Sequence, residues 1–204
     1  MLVISAFCYS MYIKPNASSD VSKSYYFFAN IGENLLKDVD EANQDVLARS
    51  FKRSSRNRPI NNSNNLYFPI LFSEHWFVFV VDIKDHKFIF LDPLYHKDHE
   101  FHEIVRDRLI PSFQIYWDRF FQVDMGFDEY EILYPDVPRQ PLENSVDSGI
   151  YAMMFVEYWK SPRTVLRNIF ESSDIKNRRV KIANDLLFLP GNSGMKSRVI
   201  EYGT

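Results

Sequence analysis

The chain has 204 residues, 46% hydrophobic and 16% aromatic, which is enough apolar material for one well-packed domain. Its formal net charge of −3 gives no basis for binding nucleic acid or an anionic membrane. The single cysteine, Cys8, excludes an internal disulfide framework and predicts an intracellular, reducing location, in the nucleus or cytoplasm. No apolar run reaches the length of a membrane-spanning helix.

The first part of the chain predicts short helices around one aromatic strand. An apolar stripe predicts a helix over residues 2–14, with Cys8 on the stripe as a small core residue. Nothing near Cys8 resembles a base, so we do not interpret it as a nucleophile. Residues 25–28 look strand-like, and helices are expected over 31–37 and 43–52. The basic stretch 52–65 is either a solvated loop or a contact to an acidic protein face.

Three consecutive strands are predicted in the middle of the chain. The first, residues 66–70, should end near Pro69, because proline lacks the N–H that a ladder needs. The second, residues 75–83, is apolar on both faces, which is typical of a central strand. A tight turn at 85–86 leads antiparallel into the third, residues 87–91. His75 and Asp92 should therefore lie at the same end of neighbouring strands.

A long helix is predicted over residues 98–121, with Asp98 as its cap and with a new helix or a kink at Pro111. His96, His99 and His102 recur every third residue, and we interpret them as a solvated helix start rather than a metal site. A strand at 130–134 and closing helices at 164–170 and 175–187 follow. Residues 191–204 are expected to form a tail.

The stretch 137–159 changes character half-way. Its first half is polar and interrupted by Pro138 and Pro141, whereas two apolar stripes from Gly149 onward predict a helix buried on most sides. Asp147 and Ser148 lie where coil becomes helix. Either they only cap the helix, or a side chain there uses the free N–H groups at the helix start to stabilise a developing anion.

The order His75-Trp76, Asp92-Pro93-Leu94, Gln140 and Asp147-Ser148-Gly149 resembles the Ulp1/SENP family, cysteine peptidases that process and remove SUMO-type ubiquitin-like modifiers. The resemblance implies an α+β, papain-like fold: a central mixed or antiparallel sheet flanked by helices, with a buried helix starting at the nucleophile. It implies a monomeric protease domain over residues 1–190. Family members carry an aromatic segment before the first helix, so we expect an N-terminally short domain.

The resemblance also implies roles for individual residues. His75 would be the general base, and Asp92 would orient its ring. Gln140 would donate to the oxyanion, and Trp76 would roof a channel for the two glycines that end the modifier. Asn144 keeps the spacing of a substrate-binding asparagine. No cofactor and no metal are implied.

Two positions depart from the family pattern. Ser148 stands where the family has its nucleophilic cysteine, through natural divergence or an engineered Cys-to-Ser change. The family places its glutamine six residues before the nucleophile, which is Leu142 here, whereas Gln140 lies eight before it. The sequence leaves open an impaired peptidase acting on a modifier's Gly-Gly tail or isopeptide bond, a dead pseudoprotease that binds a modifier or protein partner, and a decayed, inactive chain.

Overall fold

The computed structural model describes residues 1–13, 24–53, 60–142, 145–194 and 196. Its helices and strands are, in chain order, α1 (Leu2–Ile13), β1 (Ser24–Tyr26), α2 (Ala29–Leu35), α3 (Gln44–Arg53), β2 (Asn65–Phe72), β3 (His75–Asp82), β4 (Lys87–Leu91), α4 (Glu100–Phe121), β5 (Glu131–Leu133), α5 (Ser148–Tyr158) and α6 (Ile175–Leu187). Among these ranges no helix is long and apolar enough to cross a membrane. Residues 54–59 of the basic stretch and residues 195 and 197–204 of the tail lie outside the described residues.

The five strands form one mixed sheet in the order β1-β2-β3-β4-β5. Strand β3 pairs antiparallel with both β2 and β4. At the two edges of the sheet, β1 pairs parallel with β2 and β5 pairs parallel with β4. The central position of β3 confirms the prediction made from its two apolar faces. The pairing of Val78 with Leu91 brings the start of β3 close to the end of β4.

The alternation of side chains along β3 divides the interior into two cores. Phe77 and Phe79 point into a core closed by α3 and α4, in which aromatic rings predominate. Val78 and Val80 point to the opposite face, which α1, α5 and α6 cover. Helix α5 lies in this second core and is buried on most sides, as its two apolar stripes predicted. The sheet therefore separates α4 from α5.

Pro69 does not end its strand, which contradicts the sequence prediction. Strand β2 continues to Phe72, with Pro69 opposite Val78. Since β1 pairs only with residues 65–67, the outer side of β2 has no strand partner at Pro69, and the missing N–H leaves no ladder bond broken there. Helix α2 covers this edge closely: a Cβ on Gly32 would lie 2.5 Å from the Pro69 carbonyl oxygen.

Three further predictions about helices are wrong in whole or in part. Helix α4 runs unbroken through Pro111, which is exposed, so no new helix begins there, and a kink at Pro111 stays a prediction. The cap of α4 is His99, whose Nδ1 accepts a hydrogen bond from the Phe101 N–H at 3.1 Å, and not Asp98. Residues 164–170 form only a 3-10 turn, Leu166–Asn168, rather than a helix.

Candidate active site

His75 and Asp92 form a buried pair at one edge of the sheet. His75 is the first residue of β3, and Asp92 directly follows β4. The His75 Nε2 lies 2.8 Å from Asp92 Oδ1, and the two residues are only 4% and 3% exposed. The predicted meeting of the two strand ends is thus confirmed. Because Nε2 is engaged by the carboxylate, Nδ1 is the ring nitrogen left to exchange a proton with another group.

The carboxylate of Asp92 is fixed by its own turn. Besides His75, Oδ1 accepts hydrogen bonds from the N–H groups of Leu94 at 2.7 Å and Tyr95 at 2.9 Å. An aspartate that accepts N–H groups two and three residues ahead is typical of a tight turn. Three donors on one oxygen set the orientation of the carboxylate, and through it the plane of the His75 ring.

The segment that leads to α5 is tied to the same turn. Arg139 donates from Nη1 to the carbonyl oxygens of Tyr95 at 2.9 Å and Asp92 at 3.3 Å. The Gln140 N–H donates to the carbonyl oxygen of Pro93 at 2.8 Å. No pattern in the sequence marked Arg139, because its partners lie more than forty residues away. These bonds hold the segment before α5 against the Asp92 turn.

The exposed fractions of Gln140 and Leu142 distinguish the two candidates for the position of the family's glutamine. Gln140 is 5% exposed and lies beside the Asp92 turn, whereas Leu142, at the family's spacing, is 86% exposed. Leu142 also lacks a polar side chain. Gln140 is therefore the better candidate for an oxyanion donor, and that role stays a prediction. Asn144 lies outside the described residues.

Ser148 begins α5 and is 2% exposed. Its Oγ accepts a hydrogen bond from the main-chain N–H of Trp76 at 3.2 Å, so the hydroxyl lies against the residue that follows His75. Asp147 occupies the N-cap position, but its side chain makes no capping bond and forms an ion pair with Arg179 of α6. The capping interpretation of Asp147 is therefore wrong.

The indole of Trp76 lies over the start of α5. A Cβ added to Gly149 would meet Trp76 Cδ1 at 3.4 Å and Ile4 Cδ1 at 3.6 Å. A glycine after Ser148 thus lets Trp76 and α1 approach the helix head closely. Trp76 is only partly buried, which leaves part of its ring for another molecule.

The structure agrees with the sequence prediction for Cys8 and disagrees with the prediction for His102. Cys8 is fully buried in α1, and burial raises the pKa of its thiol to about 12, so it is a core residue as expected. His102 is 1% exposed, so the solvated-helix-start interpretation is wrong for this histidine, although His96 and His99 are exposed. Within the described part of the chain, no cluster of side chains suits a metal ion.

The model of the Ulp1 protease family, C-terminal catalytic domain, matches residues 8–188. The chain belongs to the Ulp1 protease family. A comparison by sequence with curated proteins gives no match. Membership identifies the chain as a cysteine-peptidase-type domain and accounts for the order of its motifs.

Solved structures of the family share the fold. The Ulp1 protease domain in complex with Smt3, the yeast ortholog of SUMO, is 22% identical over 90% of this chain and 74% of its own, with a TM-score of 0.68. SUMO protease Ulp1 with its catalytic cysteine oxidised to a sulfinic acid has the same identity and coverage and a TM-score of 0.67. XopD of Xanthomonas campestris bound to ubiquitin is 14% identical over 90% of this chain and 87% of its own, with a TM-score of 0.57. The predicted Ulp1-type α+β fold is confirmed.

Proposed function

We propose that this domain is a cysteine-type peptidase by descent, directed at the C-terminal Gly-Gly tail or isopeptide bond of a SUMO-type modifier, and impaired by Ser148. The observation that carries the proposal is the buried pair of His75 Nε2 and Asp92 Oδ1, 2.8 Å apart, together with the Ser148 hydroxyl, which accepts a hydrogen bond from the N–H of Trp76, the residue next to His75. Family membership supports it. So do the partners of two relatives, Smt3 for Ulp1 and ubiquitin for XopD.

In this proposal each side chain has one task. His75 takes the proton of the nucleophile through Nδ1 and returns it to the leaving amine, while Asp92 keeps the proton of the ring on Nε2. The side chain of Gln140 and the main-chain N–H of Ser148 donate to the oxyanion. A bond forms between nucleophile and carbonyl carbon, the C–N bond breaks, and water then hydrolyses the ester or thioester. Trp76 roofs the channel for the two glycines.

Serine at this position removes the ionised nucleophile. A thiol with an ordinary pKa of about 8.5 is held as thiolate beside an imidazolium at a helix start. An alkoxide has to form during the attack itself, with the base aligned to take its proton. The Trp76 N–H would stabilise a thiolate, but it occupies one acceptor direction of a neutral hydroxyl. We therefore expect little or no turnover by the chain as it stands.

The Ser148→Cys variant tests the proposal. Loss of a catalytic nucleophile lowers kcat on the order of 10⁶-fold, so restoring one should raise cleavage of a SUMO precursor by several orders of magnitude. The matched control is Ser112→Cys, which adds a thiol at a buried serine of α4 on the other side of the sheet. A folded Ser148→Cys protein that cleaves neither SUMO nor ubiquitin precursors overturns the assignment.

A second candidate, a pseudoprotease that binds a modifier, is favoured by Ser148 itself. A chain without a thiol nucleophile can retain the Trp76 surface over the head of α5. This candidate predicts that SUMO binds with measurable affinity and that Trp76→Ala weakens the binding, while the precursor stays intact. Isothermal titration calorimetry on both proteins checks it, with Trp117→Phe as a control that keeps an aromatic ring in the opposite core.

A further inference from the structure

His102 is a second histidine that faces the carboxylate of Asp92, at the oxygen that His75 does not contact. The Asp92 Oδ1 contacts His75 Nε2 at 2.8 Å, and the Asp92 Oδ2 lies 3.6 Å from His102 Nε2. His102 is on α4, 1% exposed, among the rings of Phe90, Phe101 and Tyr134. One buried carboxylate is thus held between two imidazoles, each facing a different oxygen.

The hydrogen bonds of His102 define its tautomer. Its Nε2 lies 3.3 Å from the Tyr95 carbonyl oxygen, which only accepts, so Nε2 carries the hydrogen. Its Nδ1 is buried and has no hydrogen-bond partner among the described residues. The ring therefore presents an N–H towards the Asp92 turn.

The surroundings of His102 keep it uncharged near neutral pH. Burial lowers the pKa of its imidazole, and His75 on β3 and His99, the cap of α4, lower it further. Asp92 and the Tyr95 carbonyl act in the opposite direction. Tyr134, after β5, adds no charge, because a phenol is neutral near pH 7 and burial raises its pKa further. A neutral His102 donates without competing with His75 for the negative charge of the carboxylate.

The two oxygens of Asp92 are unequally satisfied. Oδ1 receives three hydrogen bonds, whereas Oδ2 is buried and has no hydrogen-bond partner within the described ranges. A buried carboxylate oxygen without a donor is costly. The Nε2–H of His102 faces it, and a movement of well under 1 Å would shorten the 3.6 Å contact to a hydrogen bond.

We propose that His102 is a positioning residue of this site: its Nε2–H, shared between the Tyr95 carbonyl and Asp92 Oδ2, holds the carboxylate so that Oδ1 faces His75. The proposal deepens the proposed function and rests on it for the catalytic consequence. The structural part, that His102 sets the Asp92–His75 bond, stands without any activity.

Three variants separate the donor from mere packing. His102→Gln keeps an N–H donor close to the position of Nε2, whereas His102→Phe keeps a ring of similar shape and removes the donor. His102→Asn places its amide near Nδ1 and does not reach Asp92, so it replaces the phenylalanine variant if that protein does not fold. His99→Asn is the matched control, because His99 is an exposed histidine at the same helix start whose capping role asparagine can fill.

The first readout uses the serine-containing chain and needs no substrate. At pH 8, nitrogen-15 NMR should show His75 as the Nε2–H tautomer in the parent chain, in His102→Gln and in His99→Asn. In His102→Phe, or His102→Asn, the Nδ1–H fraction of His75 should rise at least twofold. An unchanged His75 tautomer in either donor-free variant, once folded, overturns the proposal.

The second readout is kinetic, in the Ser148→Cys background. A small misalignment of a catalytic group lowers rates on the order of 10²-fold, so the donor-free variant should lose about 10-fold to 100-fold in kcat with KM within about twofold. His102→Gln should recover most of the loss. If Ser148→Cys is itself inactive, the proposed function fails, while the NMR result still decides the role of His102. A kcat in the donor-free variant equal to that of His102→Gln counts against it.

Discussion

The two halves of the candidate site are built differently. The half that carries the proposed base, His75 with Asp92, lies on a β-hairpin, and the carboxylate alone receives three hydrogen bonds. The half at the proposed nucleophile position is the head of one buried helix, where the Ser148 hydroxyl accepts a hydrogen bond from the Trp76 N–H. In the proposed assignment the first half keeps the residue types of the family, whereas the second half has Ser148 in place of a cysteine.

We infer from this difference that the fold does not depend on a thiol at position 148. A hydroxyl occupies the space of a slightly larger sulfhydryl, and α5 is held in place by apolar packing along its length. We therefore expect a serine at this position to lower activity without changing the fold. The base half, in contrast, is bound into the sheet and two turns, so its residues affect both structure and chemistry.

The largest effect is expected when a change in one half of the site is combined with a change in the other. In Ser148→Cys, adding His75→Ala should abolish the gained activity, a loss on the order of 10⁶-fold, because the thiol loses its base and its counter-charge. Precursor cleavage and alkylation of the introduced thiol by iodoacetamide measure the two consequences. Equal alkylation rates with and without His75 would mean that the two halves do not meet.

A smaller loss is expected from Asp92→Asn in the same background. The amide oxygen can keep the bonds from Leu94 and Tyr95, but the charge that stabilises the imidazolium disappears. The expected loss in kcat is on the order of 10⁴-fold, with little change in the thermal midpoint. A loss of folding instead of kcat, seen by circular dichroism, would assign Asp92 a structural role only.

Gln140 and Leu142, the two candidates for the position of the family's glutamine, provide a matched pair of variants. Gln140→Ala in Ser148→Cys should lower kcat on the order of 10²- to 10³-fold if its amide serves the oxyanion, whereas Leu142→Ala should leave kcat within about twofold. Leu142 is the right control because it sits at the family's spacing and projects into solvent. Equal effects of both variants would assign the oxyanion hole to other groups.

The smallest effect concerns stability and pH. The folded state depresses the pKa of His102, mainly through burial, so below the ordinary histidine value of about 6.5 the unfolded chain binds a proton that the folded chain does not. The free energy of unfolding should therefore fall as the pH drops from about 7 towards 5. Urea titrations should show a shallower fall in His102→Gln than in the parent chain, and parallel curves would contradict the buried, neutral state of His102.

Local patterns were sufficient for much of the architecture. The alternation along β3 and the short turn before β4 predicted the hairpin, and with it the meeting of His75 and Asp92. The apolar stripes after Gly149 predicted the buried helix α5. These features depend on a period of two or of 3.6 residues, and such a period can be recognised from residues that are close together in the chain.

Other features could not be predicted from the sequence, because they depend on contacts between residues that are far apart in the chain. Pro69 stays within its strand because β1 is too short to pair with it, and the sequence around Pro69 does not contain that information. His102 looked like a solvent-facing histidine until the sheet packed against α4. Capping was one of two alternatives for Asp147, but its carboxylate forms an ion pair with Arg179 on α6 instead.

The sequence by itself therefore determined the family, the order of the elements and the residues of the base half, since each rests on spacing along the chain. Only the tertiary structure decided that Gln140 rather than Leu142 turns inward, that Arg139 ties the two halves together, and that a second histidine faces Asp92. The physical reason is that hydrogen bonds and burial join residues by distance in space, and no periodic pattern encodes a contact between residues far apart in the chain.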